Sequence, residues 1–165
     1  NLYAVKDTSF LLPQSREFVG DKGFGAPARA LARLVTQDGG RAYFYQFSRE
    51  SIDSESRTIP ALHTTELPFV FGYTPDRWTA YPQKGKASYD KLIAETMSDY
   101  WVAFATTGDP NTTPAKKKLP NWQVYSTSDD FYLDIGEKVM AKQGLRKEKY
   151  DAHDRIAKAN GEIRP

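Results

Sequence analysis

His63 is the residue of this chain whose type and setting best fit catalytic chemistry. It is one of two histidines, and it lies in a mostly apolar segment, residues 61–72, together with Glu66. An imidazole titrates near neutrality and can serve as a general base or acid. A single histidine in an apolar segment is more often structural, so this residue alone leaves both a catalytic and a structural role open.

Other chemistries lack the residues that they need. The chain has no cysteine, which excludes a thiol nucleophile, a disulfide and a cysteine-based zinc site within it. Metal sites usually need three or four converging ligands, which His63 and Glu66 do not supply. The glycines at residues 20–25 lack the spacing and the preceding strand of a phosphate-binding loop. We therefore expect neither a metal nor a cofactor. His153 lies among charged residues, and we expect it to be solvent-exposed and without chemistry.

Charge and hydropathy argue against several classes of partner. The net charge is +2, with acids and bases mixed along the 165 residues, which gives no electrostatic case for binding nucleic acid. The longest basic run, residues 116–118, lies in a loop rich in proline and threonine. No apolar run approaches the roughly 20 residues of a membrane-spanning helix. The length and the 39% apolar content fit one ordinary domain with a core.

The segment before His63 has an α–β pattern. Pro27 suits the first turn of a helix that continues to about Thr36, with Asp21 near the N-cap. The apolar residues spaced to form the buried face of this helix are Leu31, Leu34 and Val35. Glycines at 39–40 end the helix, and the aromatic run at 41–48 predicts a strand covered on both faces. A helix followed by a buried strand is typical of an α/β fold in which the strand joins a parallel sheet.

Further elements follow this strand. Residues 61–72 predict a loop with a short helical turn, because proline and glycine interrupt them. Helical spacing predicts a long helix at about 88–107, ended by a glycine cap. The residues expected on its buried face are Tyr89, Ile93, Met97, Tyr100 or Trp101, and Phe104. Residues 122–125 and 131–135 predict short strands, and residues 144–159 predict a charged terminal helix.

Four segments carry recognisable motifs in a fixed order. Residues 21–29 have the pattern D-x-x-F-x-x-P-x-R and precede the aromatic strand at 43–47. Residues 61–72 are ALHTTELPFVFG, residues 100–111 are YWVAFATTGDPN, and residues 119–122 are LPNW. These segments resemble, in the same order, motifs of the type-B carboxylesterase and cholinesterase family of the α/β-hydrolase superfamily. Its histidine motif is H-G-x-E-[LI]-x-[FY]-V-F-G, and its later motif is Y-W-x-x-F-A-x-x-G-D-P-N.

The resemblance, from about residue 20 to residue 155, implies an α/β fold that is the C-terminal part of an α/β-hydrolase, with few sheet strands flanked by helices. Residues 1–165 would be a single C-terminal segment of the catalytic domain, without the part that carries the nucleophile. The family's histidine is the base of a Ser-Glu/Asp-His triad, and this role carries over to His63. Because the order in such hydrolases is serine, acid, histidine, the serine and acid are expected upstream. These residues contain no Gly-x-Ser-x-Gly elbow.

The function that the resemblance implies is hydrolysis of a small-molecule carboxylic ester by a serine esterase. His63 would take the serine's proton, return it to the leaving alcohol and then activate water. The isolated chain is expected to be inactive, and to need the N-terminal part of the same enzyme, or a second copy of the chain, to be stable. The alternative is a catalytically inactive cholinesterase-like binding or adhesion domain. The histidine is commonly replaced in such domains, so its presence favours the enzyme. The resemblance slightly favours a secreted or periplasmic location.

One departure from the family pattern lies beside the histidine. Thr64 stands where the family usually has glycine, and a β-branched residue cannot easily adopt a positive φ. We therefore expect the loop after His63 to differ in geometry. Glu66 matches the family's glutamate, which is not the triad acid, and we interpret it as a structural acid near the site. The aromatic residues that could line the site, although a core role is favoured for each, are Tyr43, Tyr45 and those at 69–71.

Overall fold

Five α-helices and two small sheets form the part of the chain that the structure describes. This computed structural model describes residues 2–52, 58–73, 87–113 and 118–162. The helices are α1 (Leu11–Gly20), α2 (Ala26–Gln37), α3 (Leu67–Val70), α4 (Ala87–Thr107) and α5 (Lys147–Ala159). The strands are β1 (Tyr45–Phe47), β2 (Ser51–Ile52), β3 (Thr58–Ile59), β4 (Phe131–Ile135) and β5 (Val139–Gln143).

The chain divides into two compact units, and each is described by itself. The terminal unit comprises Asn1–Phe44, Val124–Tyr132 and Gln143–Pro165, and it contains α1, α2 and α5. The central unit comprises Tyr45–Gln123 and Leu133–Lys142, and it contains α3 and α4.

In the terminal unit, α1 and α2 form one continuous helix. The residues between them, Asp21–Gly25, make a π-helical turn in which the Ala26 N–H donates to the Asp21 carbonyl. The wider turn relieves the clash that the Pro27 ring would otherwise make with the carbonyl four residues earlier. The helix therefore begins well before Pro27. Asp21 lies inside it, and the prediction that this residue lies near an N-cap is wrong.

The buried face of α2 also differs from the prediction. Leu31 and Leu34 are 61% and 50% exposed, whereas Arg29 and Ala32 are buried. The prediction that the two leucines are buried rested on their hydropathy alone, and it is wrong for both of them. The core of the terminal unit is formed by Ala26, Ala32, Phe44, Tyr125, Leu145 and Tyr150.

Arg29 can be buried because carboxylates surround its guanidinium. Its Nη1 donates to Asp130 Oδ2 at 3.2 Å, and its Nη2 donates to Asp151 Oδ1 at 2.8 Å and to Asp154 Oδ2 at 2.6 Å. The guanidinium also lies 5.3 Å from the centre of the Tyr150 ring. A buried charge is tolerated when it is paired and hydrogen-bonded in this way. Arg29 therefore attaches α2 to α5.

His153 lies on α5 in the same unit and is half-buried. Its Nε2 is 2.9 Å from the Tyr3 hydroxyl, which itself donates to Asp21 Oδ2 at 2.7 Å. The imidazole nitrogen is therefore the donor to the tyrosine oxygen. The ring also packs against Phe18, with 5.6 Å between ring centres. The prediction that His153 is solvent-exposed is wrong, because a tyrosine far away in sequence covers it.

The three-stranded sheet has the order β1-β4-β5. β1 pairs in parallel with β4, with Tyr45 opposite Leu133 and Phe47 opposite Ile135. This pairing confirms that the aromatic strand joins a parallel sheet, and that residues 131–135 form a strand. β2 and β3 pair separately as a short antiparallel ribbon.

The predicted strand at residues 122–125 is wrong. The side-chain amide of Asn111 bonds both main-chain groups of Trp122: the Trp122 N–H donates to Oδ1 at 2.7 Å, and Nδ2 donates to the Trp122 carbonyl at 2.9 Å. A side chain therefore fills the positions that a neighbouring strand would need. The Tyr125 N–H bonds the Ala42 carbonyl at 2.8 Å.

The helix α4 runs as predicted and ends at a glycine. Gly108 has φ +73, and its N–H donates to the Phe104 carbonyl at 2.8 Å. Ile93, Met97 and Tyr100 are buried, whereas Phe104 is exposed, contrary to the predicted face. Among the described residues, neither α4 nor any other helix is long and apolar enough to span a membrane.

Candidate active site

His63 lies on a four-residue turn, residues 62–65, between β3 and α3. The Thr65 N–H donates to the Leu62 carbonyl at 3.2 Å, which closes the turn with His63 in its second position. The histidine is exposed. A side chain in this position is accessible from solvent.

The turn is of type II. Thr64, in the third position, has φ +73, and His63 is not among the described non-glycine residues with positive φ. This combination defines a type II turn, which favours glycine in its third position. Thr64 therefore adopts the left-handed conformation that we expected a β-branched residue to avoid. The strain of doing so costs roughly 1–2 kcal/mol.

Thr65 holds the turn with its side chain as well as its main chain. Its Oγ1 accepts from the Leu62 N–H at 3.2 Å and donates to the Leu62 carbonyl at 2.7 Å. Thr65 is only 6% exposed. The sequence interpretation did not single out this residue. The general tendency of threonine to bond nearby main chain in turns is the one signal that could have done so.

The short helix α3 anchors the turn on its C-terminal side. The Leu67 N–H donates to the Thr64 carbonyl at 3.2 Å. At the other end, Gly72 has φ +71, and two bonds close the helix: Gly72 N–H to Phe69 carbonyl, and Tyr73 N–H to Pro68 carbonyl. The predicted short helical turn is confirmed, with its proline and glycine at the two ends.

A buried ion pair between Arg49 and Asp90 contacts α3 through the ring of Phe69. Phe69 is 1% exposed and packs against Phe47, with 5.3 Å between ring centres. The Arg49 guanidinium lies 5.2 Å from the centre of the Phe69 ring. Arg49 binds Asp90 of α4 at two points, Nε to Oδ1 at 2.5 Å and Nη2 to Oδ2 at 2.9 Å. Neither Arg49 nor Asp90 was expected from the sequence, because an arginine in a polar loop gives no sign of burial.

Glu66 is half-buried next to the turn, and its charge affects a neighbouring tyrosine. Burial raises the pKa of Tyr45 to about 12, with a further contribution from the negative charge of Glu66. The Tyr45 ring packs edge-on against Trp101 at 5.1 Å and against Trp122 at 5.9 Å. Tyr45 therefore belongs to an aromatic cluster of the central unit, as the favoured core role predicted.

The remaining aromatic candidates lie in different surroundings. Phe69 is in the core, whereas Phe71 is 66% exposed. Tyr43 belongs to the terminal unit. A groove of about 400 Å³ lies along α4 and residues 136–140, and none of residues 61–66 lines it. In the part of the chain that the structure describes, no three histidine, aspartate or glutamate side chains cluster to hold a metal ion.

Comparisons with known proteins agree on one group of enzymes. The model of the Carboxylesterase family matches residues 2–153. Carboxylesterase 5A of Canis lupus familiaris is 31% identical over 158 residues, an alignment that covers 86% of this chain and 27% of that protein. Liver carboxylesterase of Sus scrofa is 29% identical over 136 residues, covering 80% of this chain and 22% of that protein. The chain thus spans about a quarter of the length of these curated relatives.

A solved structure shows the fold. The chain named thermophylic PNB esterase superposes with a TM-score of 0.70 at 24% sequence identity. The match covers 86% of this chain and 28% of that chain. This likeness confirms the expected fold class, part of an α/β-hydrolase fold with a few strands flanked by helices.

Proposed function

Because the chain belongs to the carboxylesterase family, we propose that the protein of which it forms part is a serine carboxylesterase with His63 as its general base. The observation that carries this proposal is the family match over residues 2–153. The position of His63 supports it, because the residue is exposed on a turn that Thr65 and α3 hold in place. The proposed substrate class is small carboxylic esters.

The proposed mechanism has two steps. His63 removes the proton of a serine hydroxyl as the serine attacks the ester carbonyl, and it then delivers this proton to the departing alcohol. In the second step it removes a proton from water as the water attacks the acyl-enzyme, and it delivers this proton to the serine oxygen as the ester bond breaks and the carboxylic acid leaves. An aspartate or glutamate orients the imidazole. We propose that the serine and this acid lie upstream of the present residues, which form one C-terminal segment of the catalytic domain.

Exposed apolar side chains support the proposal that more protein covers this chain. On the continuous helix of the terminal unit, five leucine or valine residues are exposed: Leu11, Leu12, Val19, Leu31 and Leu34. Large exposed apolar patches usually mark contact surfaces. We propose that the N-terminal part of the same enzyme covers them, or that a second copy of the chain does so.

The activity test uses the complete protein and the two histidines of the chain as a matched pair. Hydrolysis of p-nitrophenyl butyrate is measured for the wild type, His63→Ala and His153→Gln. We expect His63→Ala to lower kcat by about 10³-fold or more, and His153→Gln to retain most of the activity. An active protein that is indifferent to His63→Ala would exclude His63 as the base. An inactive wild type would favour the inactive binding domain.

The association test uses the isolated chain, alone and co-expressed with the N-terminal part of the protein. We expect the chain alone to self-associate on size-exclusion chromatography, and the co-expressed pair to elute as one 1:1 complex. Leu31→Glu should weaken this complex, whereas Lys147→Glu, on the exposed side of α5, should leave it intact. A monomeric isolated chain with a melting temperature in the usual range of about 45–65 °C would contradict the proposal.

A further inference from the structure

The two threonines that follow His63 have opposite effects on its turn. Thr64 occupies the position of a type II turn that favours glycine, and it adopts φ +73. A β-branched side chain disfavours this conformation. The turn with Thr64 is therefore less stable than the same turn with glycine, and it will open more readily unless other contacts close it.

Thr65 supplies those contacts. A type II turn normally has one hydrogen bond, from the main chain of its fourth residue to the carbonyl of its first. Here Thr65 adds two side-chain bonds, at 3.2 and 2.7 Å, so that both main-chain groups of Leu62 are bound to it. Because Thr65 is buried, these bonds are shielded from competition with water. Leu62 directly precedes His63, so the bonds fix the main chain that carries the imidazole.

We propose that Thr65 is a positioning residue for His63, and that its hydroxyl compensates for the absence of glycine at position 64. Without the hydroxyl, Thr64 relaxes towards negative φ, and the turn rotates the peptide groups on either side of the histidine. This proposal rests on the proposed function, since it assigns a purpose to the position of the base. It makes the contribution of Thr65 dependent on the residue at position 64.

The test is a set of variants of the complete protein: Thr65→Val, which keeps the shape and removes the hydroxyl, Thr65→Ser, which keeps the hydroxyl, Thr64→Gly, and the double variant Thr64→Gly/Thr65→Val. Steady-state kinetics with p-nitrophenyl butyrate give kcat and KM separately. The melting temperature of each variant shows whether the fold is intact.

We expect Thr65→Val to lower kcat by roughly 10-fold to 100-fold with little change in KM, because a small displacement of a catalytic group has effects of this size. Thr65→Ser should stay close to the wild type. In the Thr64→Gly background, Thr65→Val should lower kcat by less than about 3-fold, because glycine holds the turn without help. The same loss in both backgrounds, or no loss in Thr65→Val, would overturn the proposal.

Hydrogen exchange separates this proposal from the proposed function. If the wild type hydrolyses no ester, the proposed function fails. The exchange rate of the main-chain amide at position 65 then tests whether the hydroxyl holds the turn. We expect Thr65→Val to accelerate this exchange, and Thr64→Gly/Thr65→Val to restore it to near the wild-type rate. An exchange rate that Thr65→Val leaves unchanged would mean that the hydroxyl does not hold the turn.

Discussion

Asp21 and Arg146 form a two-point ion pair in the terminal unit, with Nε to Oδ1 at 2.5 Å and Nη2 to Oδ2 at 2.7 Å. Arg146 directly precedes α5 and has a left-handed backbone, with φ +48. Asp21 and Arg29 are the first and last residues of the motif D-x-x-F-x-x-P-x-R. Both bind to α5 or to the residue before it, so the motif attaches the long N-terminal helix to the terminal helix.

We predict that Arg146→Ala lowers the free energy of unfolding of the complete protein by about 2–4 kcal/mol. The substitution leaves the buried Asp21 carboxylate without its cation, which is the costly way to break a buried pair. The matched control is Lys147→Ala, which removes an exposed pair with Asp151 and should cost less than about 0.5 kcal/mol. Urea unfolding of both variants is the measurement. Equal losses of unfolding free energy in the two variants would show that the buried pair stabilises the protein no more than the exposed pair does.

Low pH should lower the stability of the terminal unit, because it protonates the carboxylate of Glu17. Burial acts to raise the pKa of this carboxyl, but hydrogen bonds from Lys149 and Arg146 outweigh it, and the pKa lies below its ordinary value of 4.5. A carboxyl whose pKa is lowered in the folded state contributes stability above its unfolded pKa, and the contribution is lost as pH falls through the folded pKa. We therefore expect stability to decrease as the pH falls below about 4.5.

The variant Glu17→Gln isolates this contribution. It should be less stable than the wild type at neutral pH, and the difference should shrink as the pH falls below 4.5. The measurement is the urea midpoint at several pH values. A difference that is constant from pH 7 to the acid range would show that the carboxylate charge is not what stabilises this contact.

The buried ion pair between Arg49 and Asp90 gives a third prediction. Asp90→Asn should lower the free energy of unfolding by about 3–5 kcal/mol, because it removes the buried carboxylate that binds the Arg49 guanidinium at two points. Replacing both residues by leucine should cost much less, since neither charge of this pair then remains buried. Lys91→Ala, which breaks the exposed pair with Glu95 on the same helix, is the control and should cost under about 0.5 kcal/mol. A double variant as unstable as Asp90→Asn would refute this account.

Two glycines of the continuous helix should respond in opposite ways to alanine. Gly20 has helical φ and ψ and open space around it, so Gly20→Ala should stabilise by about 0.5–1 kcal/mol. At Gly25 a β-carbon would overlap the hydroxyl of the buried Tyr150, so Gly25→Ala should destabilise the protein. Melting temperatures of the two variants test this contrast, and a stabilising Gly25→Ala would contradict the packing described here.

Elements whose determinants are local were predictable from the sequence. The helix α4 shows helical spacing of apolar residues and ends at Gly108, and α3 is bounded by Pro68 and Gly72. The parallel strand β1 was also predicted, because a continuous aromatic run after a helix and a glycine pair has few other interpretations. The fold class followed from these elements together with the ordered motifs.

The features that sequence reasoning missed depend on partners far along the chain. Arg29 lies on the buried face of α2, where the sequence predicted leucines, because Asp130 and two carboxylates of α5 neutralise its charge. No local sequence pattern reveals these carboxylates as its partners. The sequence predicted an exposed His153 because the residue that covers it, Tyr3, is distant in sequence. At the site, the position of His63 on a turn was predictable, but the left-handed Thr64 was not, since propensity alone argues against it.

The amide of Asn111 has a consequence for association between molecules. Residues 122–125 are rich in the aromatic and β-branched types that favour cross-β pairing, and a free strand edge is the usual starting point for it. Asn111 occupies both main-chain groups of Trp122, so another chain finds no donor or acceptor there to bond. One side-chain amide therefore keeps both main-chain groups of Trp122 from pairing with another chain, and deamidation at Asn111 would remove the donor that binds the Trp122 carbonyl.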